Sequence, residues 1–158
     1  MGRNKVEATD RIPERIDVFL AGVIQGSQAG TEIESQSYRD RLKDIFAEKA
    51  PGLVVYCPFE NHSSSVEYDD EQGREVFLHH LELCQKARML VAYLPTASLG
   101  TAIEIWECRK AGVPIIAISP MYHNWVLRFF VDLILPDLDA FEKWLTPESF
   151  ESLANGRT

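Results

Sequence analysis

Cysteine is scarce: three in 158 residues, at 57, 84 and 108, an odd number with no CxxC spacing. That pattern argues against a disulfide framework and against a zinc site. Each cysteine stands among apolar residues, so three buried free thiols are expected, with no metal and no cofactor. Long apolar runs are also missing, and none approaches the roughly 20 residues that span a bilayer. The opening MGRNKVEATDRIPER is polar and lacks the apolar centre of a secretory signal. Its sixth residue, Val6, is not the Ser or Thr of a myristoylation motif. A cytoplasmic protein without a membrane partner is the expectation.

Positive charge is the third shortage. Sixteen Lys and Arg face 24 Asp and Glu, for a net charge of −8, and the densest basic group is Arg39, Arg41 and Lys43. A protein that tracks duplex phosphates needs a basic face, so polymeric nucleic acid is not the expected partner. A small phosphorylated ligand remains open, because a few amides at a helix N-terminus can hold one phosphate without net positive charge.

What is present suits one globular domain: 46% hydrophobic and 25% charged residues, in a length that buries a core without staples. No repeat or low-complexity segment interrupts it. Ile16–Ala21 reads as a strand, and residues 37–49 as a helix with Tyr38, Leu42, Ile45 and Phe46 on one face. Leu53–Cys57 is a second strand. The polar stretch 58–69 reads as a loop, after which Asp69 caps a helix to about Ala87, with Gln72 in the reciprocal position. Further strands are Met89–Leu94, Val113–Ile118 and residues 131–135. Further helices are Gly100–Ala111 and Asp137–Leu145. A mixed run, NWVLRFF, precedes the fifth strand, and a capped turn at Thr146-Pro147 closes the pattern.

Near-continuous apolar strands alternating with helices imply a parallel sheet covered on both faces. The expected fold is a single-domain α/β, flavodoxin/Rossmann-like, five-stranded parallel sheet. Residues 1–15 form a polar N-terminal segment, 16–146 the domain and 147–158 a short C-terminal tail. Ligands in such folds bind beyond the carboxyl ends of the strands, which points to loops 22–30, 58–69, 95–101 and 119–125.

Three features in or beside those loops carry chemistry. AGVIQGSQAG, residues 21–30, has glycines at 22, 26 and 30 beside Ser27. It could wrap a phosphate with amides, although its spacing is neither a Walker A loop nor GxGxxG, and a plain flexible loop reads equally well. In SLGTAIEIWE, residues 98–107, Glu104 lies within about a turn of the helix start and beside the carboxyl end of the third strand, where the macrodipole would favour a carboxylate. It reads either as a solvated helix-start acid or as a desolvated nucleophile. His80 shares a stripe with Val76, Phe77, Leu83 and Cys84 and faces inward, whereas His79 points outward. An inward histidine is either a satisfied core residue or a catalyst.

VFLAGVIQGS after the first strand, followed by LVAYLP and SLGTAIE, resembles the nucleoside 2-deoxyribosyltransferase family. It is most similar to the branch that hydrolyses nucleoside 5′-monophosphates, over roughly residues 16 to 135. The resemblance implies that Glu104 attacks the anomeric carbon, that the loop from Gly22 to Ser27 holds sugar and 5′-phosphate, and that Ser98 binds phosphate. It also implies a pocket completed by a neighbouring subunit, hence a homodimer or higher oligomer. The implied substrate-binding set is Gly22, Ile24, Gln25, Gly26, Ser27, Ser98, Gly100 and Asn124. Two positions depart from the family pattern. His80 stands where the family has an acid/base aspartate, and Gln25 where the monophosphate branch favours an arginine.

Cleavage of an N-glycosidic bond passes through an oxocarbenium-like state, so a carboxylate near C1′ and an acid for the departing base are the two groups required. Glu104 and His80 are the candidates, with Asp69, Asp70 or Glu60 as substitutes for the acid. Water as acceptor makes a hydrolase, and a second base makes a transferase. A nucleotide-binding module without turnover and a generic flavodoxin-like domain are the alternatives. The run His123–Phe130, with Trp125, Phe129, Phe130 and Arg128, has an interface composition.

Overall fold

The computed structural model describes residues 12–156. Five parallel strands form one sheet in the order β2-β1-β3-β4-β5. They are β1 (Val18–Gly22), β2 (Val55–Tyr56), β3 (Met89–Tyr93), β4 (Ile115–Ile118) and β5 (Leu133–Leu135). The long helices are α1 (Ser37–Lys49), α3 (Asp70–Lys86) and α4 (Leu99–Ala111), with a single turn, α2 (Pro58–Asn61), after β2. Helices α5 (Trp125–Phe130), α6 (Leu138–Trp144) and α7 (Pro147–Asn155) follow.

The apolar strands explain the layering. Val18, Leu20, Met89, Val91, Ile116 and Ile118 point to one face, against Tyr38, Leu42 and Phe46 of α1, Phe141 of α6 and Phe150 of α7. Their neighbours Phe19, Leu90 and Ile115 point to the other, against Leu83 and Cys84 of α3, Ile105 and Cys108 of α4, and Leu127 of α5. A sheet buried on both faces needs apolar residues at every position, and β1 and β4 are buried throughout. The expected five-stranded parallel α/β fold is therefore the fold observed.

The chain turns outward from β1 to β2 and then returns across to β3, so strand order reverses beside β1. Gly22 and Tyr93 are register partners at the carboxyl ends of these two strands. That reversal opens a crevice which no crossover covers. A Cβ on Gly22 would lie 2.5 Å from the Tyr38 hydroxyl and 2.9 Å from the Tyr93 carbonyl. Only glycine lets the chain leave the strand there.

Three segments differ from the expectation. The 58–69 loop contains α2, which starts on Pro58 at a position where proline's missing N–H costs nothing. Residues 125–130 are helical because the Asn124 side chain accepts from the Val126 N–H and Leu127 is buried. The stretch after Thr146 is a nine-residue helix rather than a short tail. There Thr146 and Ser149 cap each other, Pro147 leads, and Phe150, 1% exposed, is core. The cysteines are free and buried, as expected. Among the described residues, no cluster of three His, Cys, Asp or Glu could hold a metal, and no helix is long and apolar enough to cross a membrane.

Candidate active site

A cavity of about 400 Å³ occupies the crevice at the carboxyl end of β1. That volume falls in the range of roughly 300–1,000 Å³ common to small-molecule sites. The α2 turn and the segment after it line it with Pro58, Phe59, Ser65 and Val66, and four other elements complete the wall. The β1–α1 loop contributes Gly22, Ile24, Gln25 and Gly26. The N-terminal half of α4 adds Ser98, Gly100 and Glu104. Helix α3 supplies Phe77 and His80, and Arg39 enters from α1.

Glu104 is 9% exposed, and it makes no hydrogen bond or ion pair with any described residue. It is the sixth residue of α4, past the first turn, where the field of the helix terminus has largely faded. The expected macrodipole support is therefore absent, and burial decides its ionisation instead. Burial pushes the carboxyl up to about 8, opposed by the positive charge of Arg39 acting through space. Glu104 is therefore neither a solvated surface acid nor a bonded structural one.

His80 is 7% exposed. One side of it faces the cavity, and its ring packs edge-on against Phe19, Tyr56 and His62. His62 is buried behind it, 5.1 Å between ring centroids, with Nδ1 3.2 Å from the Tyr68 hydroxyl. The three alternative acids do not line the cavity. Asp69 accepts from the Gln72 N–H as the cap of α3, Asp70 is exposed, and Glu60 pairs with Lys43.

Of the expected substrate-binding residues, Gly22, Ile24, Gln25, Gly26, Ser98 and Gly100 line the cavity. Ser27 stands exposed in the same loop, and Asn124 caps α5 away from the lining. Ser98 accepts only a long bond of 3.4 Å from the Thr101 N–H. Its hydroxyl proton is therefore available to a ligand. Gly26, at φ +59°, takes the left-handed turn that aims the loop back over the crevice.

Arg39 is the residue the sequence reading passed over. It sits beside Arg41 and Lys43, which face solvent and pair with acids of α6 and α2. It also lies three residues before Leu42 and seven before Phe46, on the apolar stripe of α1. That spacing was the signal, and Arg39 is 3% exposed.

No protein-family model and no curated protein matches the sequence. Solved structures do match in shape. A 2-deoxyribosyltransferase from Bacillus psychrosaccharolyticus superposes with a TM-score of 0.64, over 84% of this chain and 94% of its own, at 20% identity. This chain has the fold of that transferase. A conserved protein from Enterococcus faecalis V583 matches with a TM-score of 0.57, over 91% of this chain and 99% of its own, at 16% identity. The fold implied by the family resemblance is thus the one found, and the cavity lies where that fold brings its strand ends together.

Proposed function

We propose that the protein cleaves the N-glycosidic bond of a nucleoside or nucleoside 5′-monophosphate, with Glu104 as nucleophile and His80 as acid. One observation carries the reading. Glu104 is a nearly buried carboxylate with no bonded partner, and its residual surface opens into a ligand-sized cavity that His80 also lines. Likeness to a 2-deoxyribosyltransferase supports the same class of chemistry.

In the proposed step the ionised Glu104 attacks C1′ as the bond to the base breaks, and His80 donates its proton to the departing base nitrogen. Water then releases the sugar, and His80 takes the proton back. The productive state has Glu104 charged and His80 protonated. Activity is therefore expected to rise as pH climbs toward about 8, where Glu104 ionises. We favour water over a second base as acceptor because Ser98 and the Gly22–Gly26 loop, the phosphate-holding elements of the hydrolytic branch, line this cavity.

The protein is proposed to act as a homodimer. Leu99, Ile103 and Trp106 form an exposed stripe on α4 at 85%, 43% and 46%, and it continues through Trp125 and Phe129 of α5 at 75% and 53%. Apolar and aromatic stripes of this kind mark interfaces. Leu99 also lines the cavity, so in the proposed dimer the partner chain would lie beside the substrate. Light scattering at micromolar concentration is expected to give a dimer, and a monomer alone would remove this part.

The test of the activity is a release assay with each common nucleoside and monophosphate, read as free base by chromatography across pH in wild type and His80→Asn. Release in wild type is expected, and release lower by roughly 100-fold or more is expected in the variant. Tight nucleotide binding without free base would instead make the protein a binding module. Base exchange without hydrolysis would make it a transferase.

A further inference from the structure

We propose that Arg39 anchors the phosphate of a nucleoside 5′-monophosphate in this cavity, supplying the cation that the β1–α1 loop lacks. The inference rests on the nucleoside chemistry proposed above and adds to it the class of substrate.

Residues 22–30 contain no lysine or arginine. The fold brings a guanidinium to the root of that loop from behind. Arg39 Nε donates to Gln36 Oε1 at 2.8 Å, Nη1 to the Leu20 carbonyl at 3.3 Å, and Nη2 to the Gly22 carbonyl at 3.5 Å. Nη1 also lies 3.6 Å from Cys57 Sγ. The Tyr38 and Phe59 rings lie 5.0 and 5.6 Å from the guanidinium carbon, fixing the group from two sides.

None of these partners is charged, and all but the Gln36 bond lie toward the long end of the hydrogen-bonding range. No described carboxylate forms an ion pair with Arg39, although Arg41 and Lys43 on the same helix both have one. A buried cation without a counter-ion is costly. Here it is held at the wall of a cavity that Ile24–Gly26 and Ser98 also line. These bonds leave one N–H on Nη2 for a phosphate, and the long contacts to Leu20, Gly22 and Cys57 can give up a second for a charge-assisted pair. The net charge of −8 does not oppose this at contact range, because exposed charges are screened over about 8–10 Å and a buried guanidinium is not.

The ligand chemistry is a phosphomonoester dianion, whether on a nucleotide or as free phosphate, and the experiment separates the two. Calorimetry would measure the affinity of each common nucleoside, its 5′-monophosphate and inorganic phosphate, for wild type, Arg39→Gln and Arg39→Lys. Thermal melts would confirm that each variant is folded. Wild type is expected to bind a monophosphate at least tenfold more tightly than its nucleoside. Arg39→Gln is expected to lower that ratio tenfold or more, and Arg39→Lys to restore part of it. If Arg39→Gln does not fold, Arg39→Lys and competition by inorganic phosphate in wild type carry the test.

Equal binding of nucleoside and monophosphate by wild type would overturn the proposal, as would a ratio unchanged in Arg39→Gln. Binding of inorganic phosphate without monophosphate selectivity would show free phosphate as the only ligand and would also overturn it. Base release measured on the same samples is a separate readout. Release with no Arg39-dependent selectivity would remove this proposal and leave the glycosidase. Arg39-dependent phosphate binding without release would do the reverse.

Discussion

Asp17 and Glu104 are both buried carboxylates, one at each end of the same sheet, and the chain treats them differently. Asp17, fully buried just before β1, is bonded on both oxygens. Oδ2 accepts from the Val54 N–H at 2.7 Å and from Arg15, and Oδ1 accepts from Arg88 at 3.3 Å. It ties β1 to the start of β2 and, through Arg88 and Glu151, to α7. Glu104 has none of this. It lies in a cavity at the other end, where the nearest compensation is the charge of Arg39 felt across space. A buried charge kept for stability is surrounded by donors, because leaving it bare costs several kcal/mol. A bare one in a cleft is a candidate for chemistry.

Exchanging the charges for amides should separate the two roles. Glu104→Gln is expected to reduce base release by at least ~1,000-fold, about 4 kcal/mol of transition-state stabilisation, in a protein that stays folded. Release within about tenfold of wild type would sink the nucleophile assignment. Asp17→Asn is expected to do the opposite, leaving release per folded molecule intact while costing about 3 kcal/mol of stability, a fall in Tm of roughly 6–12 °C. Loss of activity at unchanged Tm would dissolve the contrast.

The smallest effect sharpens the comparison most. Between the ordinary carboxylate range and about 8, folded Glu104 keeps a proton that the unfolded chain has lost. Glu104 therefore lowers stability progressively as pH rises through that window and by a constant amount above it. Glu104→Gln, which does not titrate, should melt a few degrees above wild type at pH 8.5 and level with it near pH 4. An equal shift at both values would mean that burial of the charge is not what distinguishes this residue.

Much of the fold was legible in the residues because a sheet buried on both sides demands unbroken apolar strands, and those strands stand out between polar helices. The Asp69–Gln72 cap was readable for the same local reason, and it forms. The short helices α2, α5 and α7 were not. Four to nine residues carry too little periodicity, and α5 and α7 are held by single buried residues, Leu127 and Phe150.

At the site, Glu104 and His80 were visible from their placement after and before the third strand. The ionisation of Glu104 was not, since burial by neighbouring elements decides it. Arg39 was hidden by Arg41 and Lys43, which made a mixed helix face look uniformly basic. The Cys57 and Phe59 that enclose it come from beyond β2, at the start of α2.

The most direct test of the account is to trap the sugar on the nucleophile. Wild-type protein would be incubated with 2′-fluoro-substituted nucleosides and their monophosphates, whose glycosyl-enzyme intermediates hydrolyse slowly, and digested for peptide mass mapping. The account predicts a mass increase equal to the sugar, or sugar phosphate, on Glu104, absent from Glu104→Gln and retained in Asp17→Asn. Release of base with no adduct on Glu104, or with the adduct on another side chain, would contradict it.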